Sequence, residues 1–224
     1  MKESKKHIYN LILLDESGSM FADRDQVISN FNELIDDIKH QAKKNKNIKQ
    51  YLSLITFNGT GIKVILDCEK AKRATHISDK DYTPNASTPL FDAMGYSIQG
   101  LKEKTKDQAT VITTIFTDGM ENSSVEFNSS TLKKIIEQLE NKNWSFSYIG
   151  ADHDVVAQAR SLNIGNTMMF SKTKAGFKRT LDVQRNYRSR INDMVDANIN
   201  LTKDLKSQIW KETIENKDLE DKQS

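Results

Sequence analysis

Asp15, Ser17 and Ser19 occupy alternate positions of Asp15-Glu16-Ser17-Gly18-Ser19-Met20, directly after the apolar run at 8–14. On an extended loop, that spacing lets one carboxylate and two hydroxyls converge, and Gly18 allows the backbone to turn tightly. Three hard oxygens suit a hard divalent cation. Mg2+ takes about six oxygens and needs few carboxylates, so this loop is incomplete by itself. Donors of the missing kind stand in Ala86-Ser87-Thr88-Pro89-Leu90 and in Thr117-Asp118-Gly119. Each stretch also has an ordinary structural account, as a helix N-cap or a strand-ending turn. Three such stretches at matching places favour the ligand account.

These loops need elements to position them. The first and third each follow a run that reads as a buried parallel strand, and ligands of open α/β sheets sit beyond the carboxyl ends of strands. Val27, Ile28, Phe31, Leu34, Ile35 and Ile38 recur at helical spacing, and the helix should end near Lys43-Lys44-Asn45-Lys46-Asn47. Residues 51–57 read as a strand, Asn58-Gly59 as a hairpin turn and 61–68 as the antiparallel partner. Residues 69–84 read as a loop. Leu90, Ala93, Met94, Ile98 and Leu101 predict a helix with Pro89 in its first turn. Strand 109–117 follows, then a helix capped by Ser129, Ser130 or Thr131, strand 144–150, and a short helix from Val155 capped by the acids Asp152 and Asp154. Residues 167–170 read as the last strand. The expected fold is a three-layer α/β/α, doubly wound, mostly parallel six-stranded sheet with one antiparallel edge strand.

Asp-x-Ser-x-Ser, then a Thr in a Thr-Pro-Leu loop, then Thr-Asp-Gly resembles, in type and order, the von Willebrand factor A domain family, over roughly residues 6–170. The resemblance is to a stand-alone intracellular prokaryotic or phage member with a Rossmann-like fold. It implies a metal-ion-dependent adhesion site with Asp15, Ser17, Ser19, Thr88 and Asp118 as ligands, rimmed by Glu16, Met20, Ser87 and Gly119. Few carboxylates and several hydroxyls favour Mg2+ or Mn2+ over Ca2+. The open coordination position implies a partner protein supplying an Asp or Glu carboxylate, in non-enzymatic, metal-dependent protein binding. Bacterial relatives that work beside ATPases or larger assemblies suggest such a partner. As loop-end groups, Asp15 and Asp118 are expected to be exposed and of little weight in the core.

The rival from another class is a Mg2+-dependent phosphohydrolase or phosphotransferase with Asp15 as nucleophile. Enzymes of the haloacid-dehalogenase type need a second acid two residues later, where this chain has Ser17, and a lysine, for which only Lys102 and Lys104 offered themselves. A serine hydrolase would need a Gly-x-Ser-x-Gly elbow, which Glu16-Ser17-Gly18-Ser19 is not. His7, His40, His76 and His153 share no ligand spacing and read as surface or loop residues.

The 224 residues are 37% apolar with mean hydropathy -0.64, and a net charge of +2 with pI near 8.4 gives no overall field to attract nucleic acid or an anionic membrane. Cys68, alone, excludes an intrachain disulfide and reads as an inert strand residue. The apolar run behind the charged start is too short for a signal sequence, and no stretch approaches a membrane span, so a cytoplasmic protein is expected. From Ser171 a loose helical stripe runs through Phe177, Leu181, Ile191 and Trp210. Residues 1–195 should form the A domain, and 196–224 a helical extension or tail that is folded back, partner-binding or frayed. The basic residues Lys172, Lys174, Lys178, Arg179, Arg185, Arg188 and Arg190 read as a solvated helix face.

Overall fold

A computed structural model describes residues 5–105, 109–151 and 153–223. The elements are β1 (Lys6–Asp15), α1 (Arg24–Lys44), β2 (Ile48–Asn58), β3 (Gly61–Lys70), α2 (Leu90–Lys104), β4 (Thr110–Thr117), α3 (Ser129–Glu140), β5 (Trp144–Gly150), α4 (His153–Ser161), β6 (Asn166–Met169), α5 (Lys174–Asp196) and α6 (Lys203–Gln223). They build one six-stranded sheet in the order β3-β2-β1-β4-β5-β6. Only β3 runs antiparallel, paired with β2.

Successive side chains of β1 point to opposite faces. Leu11 and Leu13 join Leu90, Met94, Ile98, Leu132 and Ile136 of α2 and α3. Ile12 and Leu14 meet Val27, Phe31 and Ile35 of α1 and Phe177 of α5. With helices on both faces, the central strands stay apolar throughout instead of alternating. Each such fully buried side chain contributes about 1.5–3 kcal/mol, which lets the strand-end loops carry polar groups.

The chain order reverses at β1, which has β2 on one side and β4 on the other. A doubly wound sheet opens its crevice at such a point, beyond the carboxyl ends of the two strands. The register pairs Leu14 with Phe116, so Asp15 comes beside Thr117.

Several expectations change. The cap of α3 is Asn128, whose side chain accepts from the Thr131 N–H at 2.9 Å; Ser129 and Ser130 lie inside the first turn, where their hydroxyls cannot reach forward to the same amides. Of residues 69–84, expected as a loop, Glu69 and Lys70 extend β3 and Ala71–Arg73 form a 3-10 turn; the rest is irregular but not superficial, for Ala71, Ala74, Ile77 and Tyr82 are buried in the cluster with α1. Helix α4 begins at His153 instead of Val155; Asp152 and the side chain of His153 lie outside the described part. His40 and His76 are exposed, whereas His7 is half-buried in β1 and stacks on Tyr51 with ring centroids 5.7 Å apart. Cys68 is half-buried on β3, and burial pushes its thiol up.

The basic stretch is a solvated face only at its start, where Lys174 and Lys178 are exposed. Arg188 is fully buried, Arg185 pairs with Asp37, Glu33 and Asp182 at 2.7–3.0 Å, Arg179 with Asp218, and Arg190 with Glu212. Apart from Asp182, one turn away in α5, these acids come from α1 and α6, which sequence spacing within α5 could not reveal. Beyond Asn198, in the left-handed region at φ 59°, the chain reverses and α6 folds back on α5. Trp210 packs edge-on to Tyr187 at 5.2 Å and donates to the Thr167 carbonyl at 3.3 Å. The buried Lys206 ammonium donates to the carbonyls of Glu140, Lys142 and Trp144 at 2.9, 3.0 and 2.7 Å. Among the described residues no helix is long and apolar enough to cross a membrane.

Candidate metal centre

Asp15 ends β1 and is buried, as is Asp118 just after β4; neither is exposed as its loop-end position suggested. Asp15 Oδ1 accepts from the Ser17 amide at 2.7 Å, its Oδ2 from the Thr117 hydroxyl at 2.5 Å, and its backbone carbonyl from the Tyr82 hydroxyl at 2.7 Å. Burial pushes the Asp15 carboxyl up to about 6, against those hydrogen bonds, and the nearby Asp118 charge adds to the rise. The loop after it is held on both sides: the Glu16 N–H donates to the Phe57 carbonyl at 2.8 Å and the Gly18 N–H to that of Ala86 at 3.0 Å.

Ala86, in the left-handed region at φ 58°, aims that carbonyl and leads into Ser87 and Thr88. The β2–β3 hairpin passes so close that a Cβ on Gly59 would lie 2.2 Å from Ser87 Oγ. Only glycine fits there. The Thr88 N–H donates to the Asn122 side chain at 2.8 Å, and the Asn122 N–H returns to the Thr88 carbonyl at 3.2 Å. Two more ties staple the start of α2 to the segment after β4. Glu121 accepts from the Phe91 amide at 2.8 Å, and Asp92 accepts from the amides of Val125, Glu126 and Phe127 at 2.7–3.0 Å.

The three loops meet at Gly119. A Cβ placed on it would lie 3.4 Å from Thr88 Oγ1 and 4.0 Å from both Asp15 Oδ2 and Ser19 Oγ. Ser19 Oγ also donates to Asp118 Oδ1 at 2.6 Å and lies 3.2 Å from Ser17 Oγ. All five residues named from the sequence as ligands are therefore gathered at one place, as two carboxylates and three hydroxyls. Among the described residues no group of three or more His, Cys, Asp and Glu could hold a metal. The donor set is thus oxygen only and poor in charge, and the Asp15–Asp118 repulsion is of the kind a divalent cation relieves.

The model of the von Willebrand factor type A domain matches residues 11–186, and these include all three loops. The chain belongs to that family. Domains of this family generally serve as protein-interaction modules. Solved structures similar to this A domain include the PilB minor pilin from Streptococcus sanguinis, at 13% identity and TM-score 0.62, covering 86% of this chain and 63% of that one. Proximal thread matrix protein 1 from the mussel byssus follows at 10% identity and TM-score 0.56, with 79% and 44% covered. The SpRpn10 VWA domain, at 13% identity and TM-score 0.54, is covered over 95% of its length by 81% of this chain. The A domain thus spans less than two thirds of the first two proteins, and at such identities the likeness is one of fold. No curated protein sequence matches.

Of the four rim residues, two are misplaced by the sequence reading. Met20 is fully buried: it lies in the 3-10 turn Gly18–Asp23 and points into the core with Val27 and Phe31. Glu16 is also buried, bound to Lys63 Nζ at 2.9 Å and to the Thr83 amide; burial pushes its carboxyl up, but the bonds from Lys63 and its neighbours outweigh this and hold it below the ordinary value. The loop is extended only as far as Ser17, where Glu16 faces away from the centre, and the 3-10 turn that follows keeps Ser19 at the centre while it turns Met20 into the core. Ser87 and Gly119 are half-buried at the centre's edge. Phe21 and Met120, both exposed, flank it instead.

One participant has no counterpart in the sequence reading. Lys172, in the turn between β6 and α5, sets its ammonium on Asp118 Oδ2 and lies 3.5 Å from both Asp23 Oδ2 and the Ser19 carbonyl. Burial pulls its pKa down, but its bond to Asp118 outweighs this and the net shift is upward. No motif surrounds it, and no local pattern could have paired it with the metal loops. Lys104, by contrast, pairs with Asp67 at the far end of α2, and Lys102 is exposed there.

Proposed function

We propose that this A domain binds Mg2+ or Mn2+ through Asp15, Ser17, Ser19, Thr88 and Asp118 and uses the ion to capture an Asp or Glu carboxylate of a partner protein. The observation that carries the reading is the convergence of Thr88 Oγ1, Asp15 Oδ2 and Ser19 Oγ around Gly119, with Asp118 hydrogen-bonded to Ser19. The ion supplies a Lewis-acidic position that an anionic oxygen fills while balancing charge. The residues fix the donors, and Gly119 leaves room above them. The exposed Phe21 and Met120 give a partner apolar contact beside its acid. A reducing cytoplasm suits a chain with one cysteine, and we extend the reading to a partner that is an ATPase or part of a larger assembly. Calorimetric titration with Mg2+, for the native chain and for Asp15→Ala, tests the metal site. Pull-downs with and without chelator then test the partner step. Mg2+ binding that persists unchanged in Asp15→Ala would defeat the reading.

Lys172 gives the phosphohydrolase reading the cation it lacked. Two facts weigh against it: Ser17 stands where the general acid is needed, and both oxygens of Asp15 already accept hydrogen bonds. Turnover of p-nitrophenyl phosphate with Mg2+, abolished in Asp15→Asn, would make that reading the better one.

A further inference from the structure

Lys172 brings a positive charge into a centre read as a divalent cation site, and its surroundings show that the placement is built. The turn that presents it is anchored on both sides. Before it, Phe170 is buried, its N–H donates to the Gly150 carbonyl at 2.9 Å, and its ring packs on Phe116 with centroids 4.5 Å apart. After it, the Thr173 side chain caps α5, accepting from the Gly176 amide at 3.1 Å. Gly176 itself is required, because a Cβ there would lie 2.2 Å from the Ser171 carbonyl oxygen. The backbone at Lys172 is thus fixed toward the centre, while the side chain, 39% exposed, can swing into solvent without leaving a cavity.

Asp118 has two oxygens. One accepts from Ser19 and the other from Lys172. We propose that Lys172 is a tethered counter-cation of the centre, holding Asp118 while no divalent ion is bound and opposing the ion when it arrives, so that this side chain sets how tightly the site takes Mg2+. The inference rests on the metal-site reading above. Two effects act in the same direction: the ammonium occupies a lone pair of a candidate ligand, and it repels a doubly charged ion bound beside it. Even at the dielectric of water, a unit charge about 4 Å from a divalent ion changes affinity by a factor of ten or more.

The test compares Lys172→Met, Lys172→Arg and Lys174→Met, the last removing the same charge from an exposed position on the first turn of α5. Mg2+ affinity is read by calorimetry, and melting temperature is read with chelator and with saturating Mg2+. Lys172→Met should bind Mg2+ at least tenfold more tightly than the native chain, Lys172→Arg should stay within a few-fold of native, and Lys174→Met should change it less than twofold. With chelator, Lys172→Met should melt below the native chain, and saturating Mg2+ should raise its melting temperature by more. Equal or weaker Mg2+ binding by Lys172→Met, with Asp15→Ala abolishing binding, overturns the role of Lys172 and leaves the metal site standing. Binding indifferent to Asp15→Ala overturns the metal site and this inference with it.

Discussion

Two polar clusters lie on the same two central strands and are built in opposite ways. At the carboxyl ends of β1 and β4, the buried carboxyl groups of Asp15 and Asp118 concentrate negative charge among hydroxyls, with the exposed Ser19 beside them. Midway along the same strands, under α5, the buried Arg188 guanidinium donates to Asn10 at 3.2 Å, Gln184 at 2.5 Å and Thr114 at 2.9 Å, with no carboxylate in that set. Asn192 and Gln50 extend that set at 2.8 Å. The inner cluster spreads one positive charge over neutral oxygens and is closed. The outer cluster leaves charge unbalanced beside solvent and is open. An open cluster with a charge deficit invites a ligand, whereas a closed one fixes a helix in its register.

The largest expected effect separates the two in stability. Arg188→Met leaves the buried side-chain oxygen of Asn10 without its donor and takes one of two donors from that of Gln184, which keeps the Thr114 hydroxyl; a buried polar group that loses its partner costs about 1–3 kcal/mol, and the emptied site adds to it. Urea unfolding should show a loss of about 3 kcal/mol or more, with Mg2+ affinity within a few-fold of native. A large drop in Mg2+ affinity would break the separation between the clusters.

Asp118→Ala should do the reverse. Among the described residues its side-chain partners are Ser19 and the part-exposed Lys172, and although the carboxyl is buried its removal also relieves a repulsion on Asp15, so stability should fall by about 1–2 kcal/mol, less than in Arg188→Met. Mg2+ binding should weaken by about a hundredfold. Asp15→Ala is a less clean probe than its loop-end position suggests, because Ser17, Thr117 and the buried surroundings all depend on it.

The closed cluster was invisible in the sequence and the open one was not. Asp15, Ser17, Ser19, Thr88 and Asp118 could be named because each sits at the end of an apolar run or the start of a helical one, where local pattern fixes the position. The same patterns gave the doubly wound, mostly parallel six-stranded sheet and the antiparallel β3, but not the order of the strands. Met20 and Glu16 adjoin the ligands in sequence without lining the site, because a 3-10 turn rotates Met20 into the core and Lys63 and Thr83 hold Glu16 on the other side of the loop. Lys172, Arg188 and Tyr82 were missed for another reason. Each acts across the fold on partners dozens of residues away, and a lysine, an arginine or a tyrosine in a helix or loop carries no local mark of that. The docking of α6 depends likewise on Trp210 and Lys206 meeting β6 and the α3–β5 turn, which helical spacing alone leaves open.

The Asp15 carboxyl is pushed up to about 6 from an ordinary 3.8, so between those values the native chain holds a proton that the unfolded chain has released. This group's contribution to stability is therefore full below about 3.8 and is lost as pH rises through about 6. In chelator, the melting temperature should carry a component that falls across that window. Saturating Mg2+ should remove the component, and Asp118→Ala should shrink it. A component of the same size with and without Mg2+ would mean that the ion does not sit on Asp15.

The smallest effect sharpens the picture of the open cluster most finely. Thr88 is buried and its backbone is clamped by Asn122 at 2.8 Å and 3.2 Å, so replacing its side chain should leave the loop where it is. Thr88→Ser keeps the hydroxyl and should bind Mg2+ within about twofold of native. Thr88→Ala and Thr88→Val both lose a neutral ligand, which a water can replace in the shell of Mg2+, so affinity should fall by several-fold, about 1 kcal/mol. Because valine matches the shape of threonine, equal losses in the two variants would assign the effect to the oxygen. A loss in alanine alone would assign it to packing, and Thr88 would then belong with the groups that hold the loops and not with those that hold the ion.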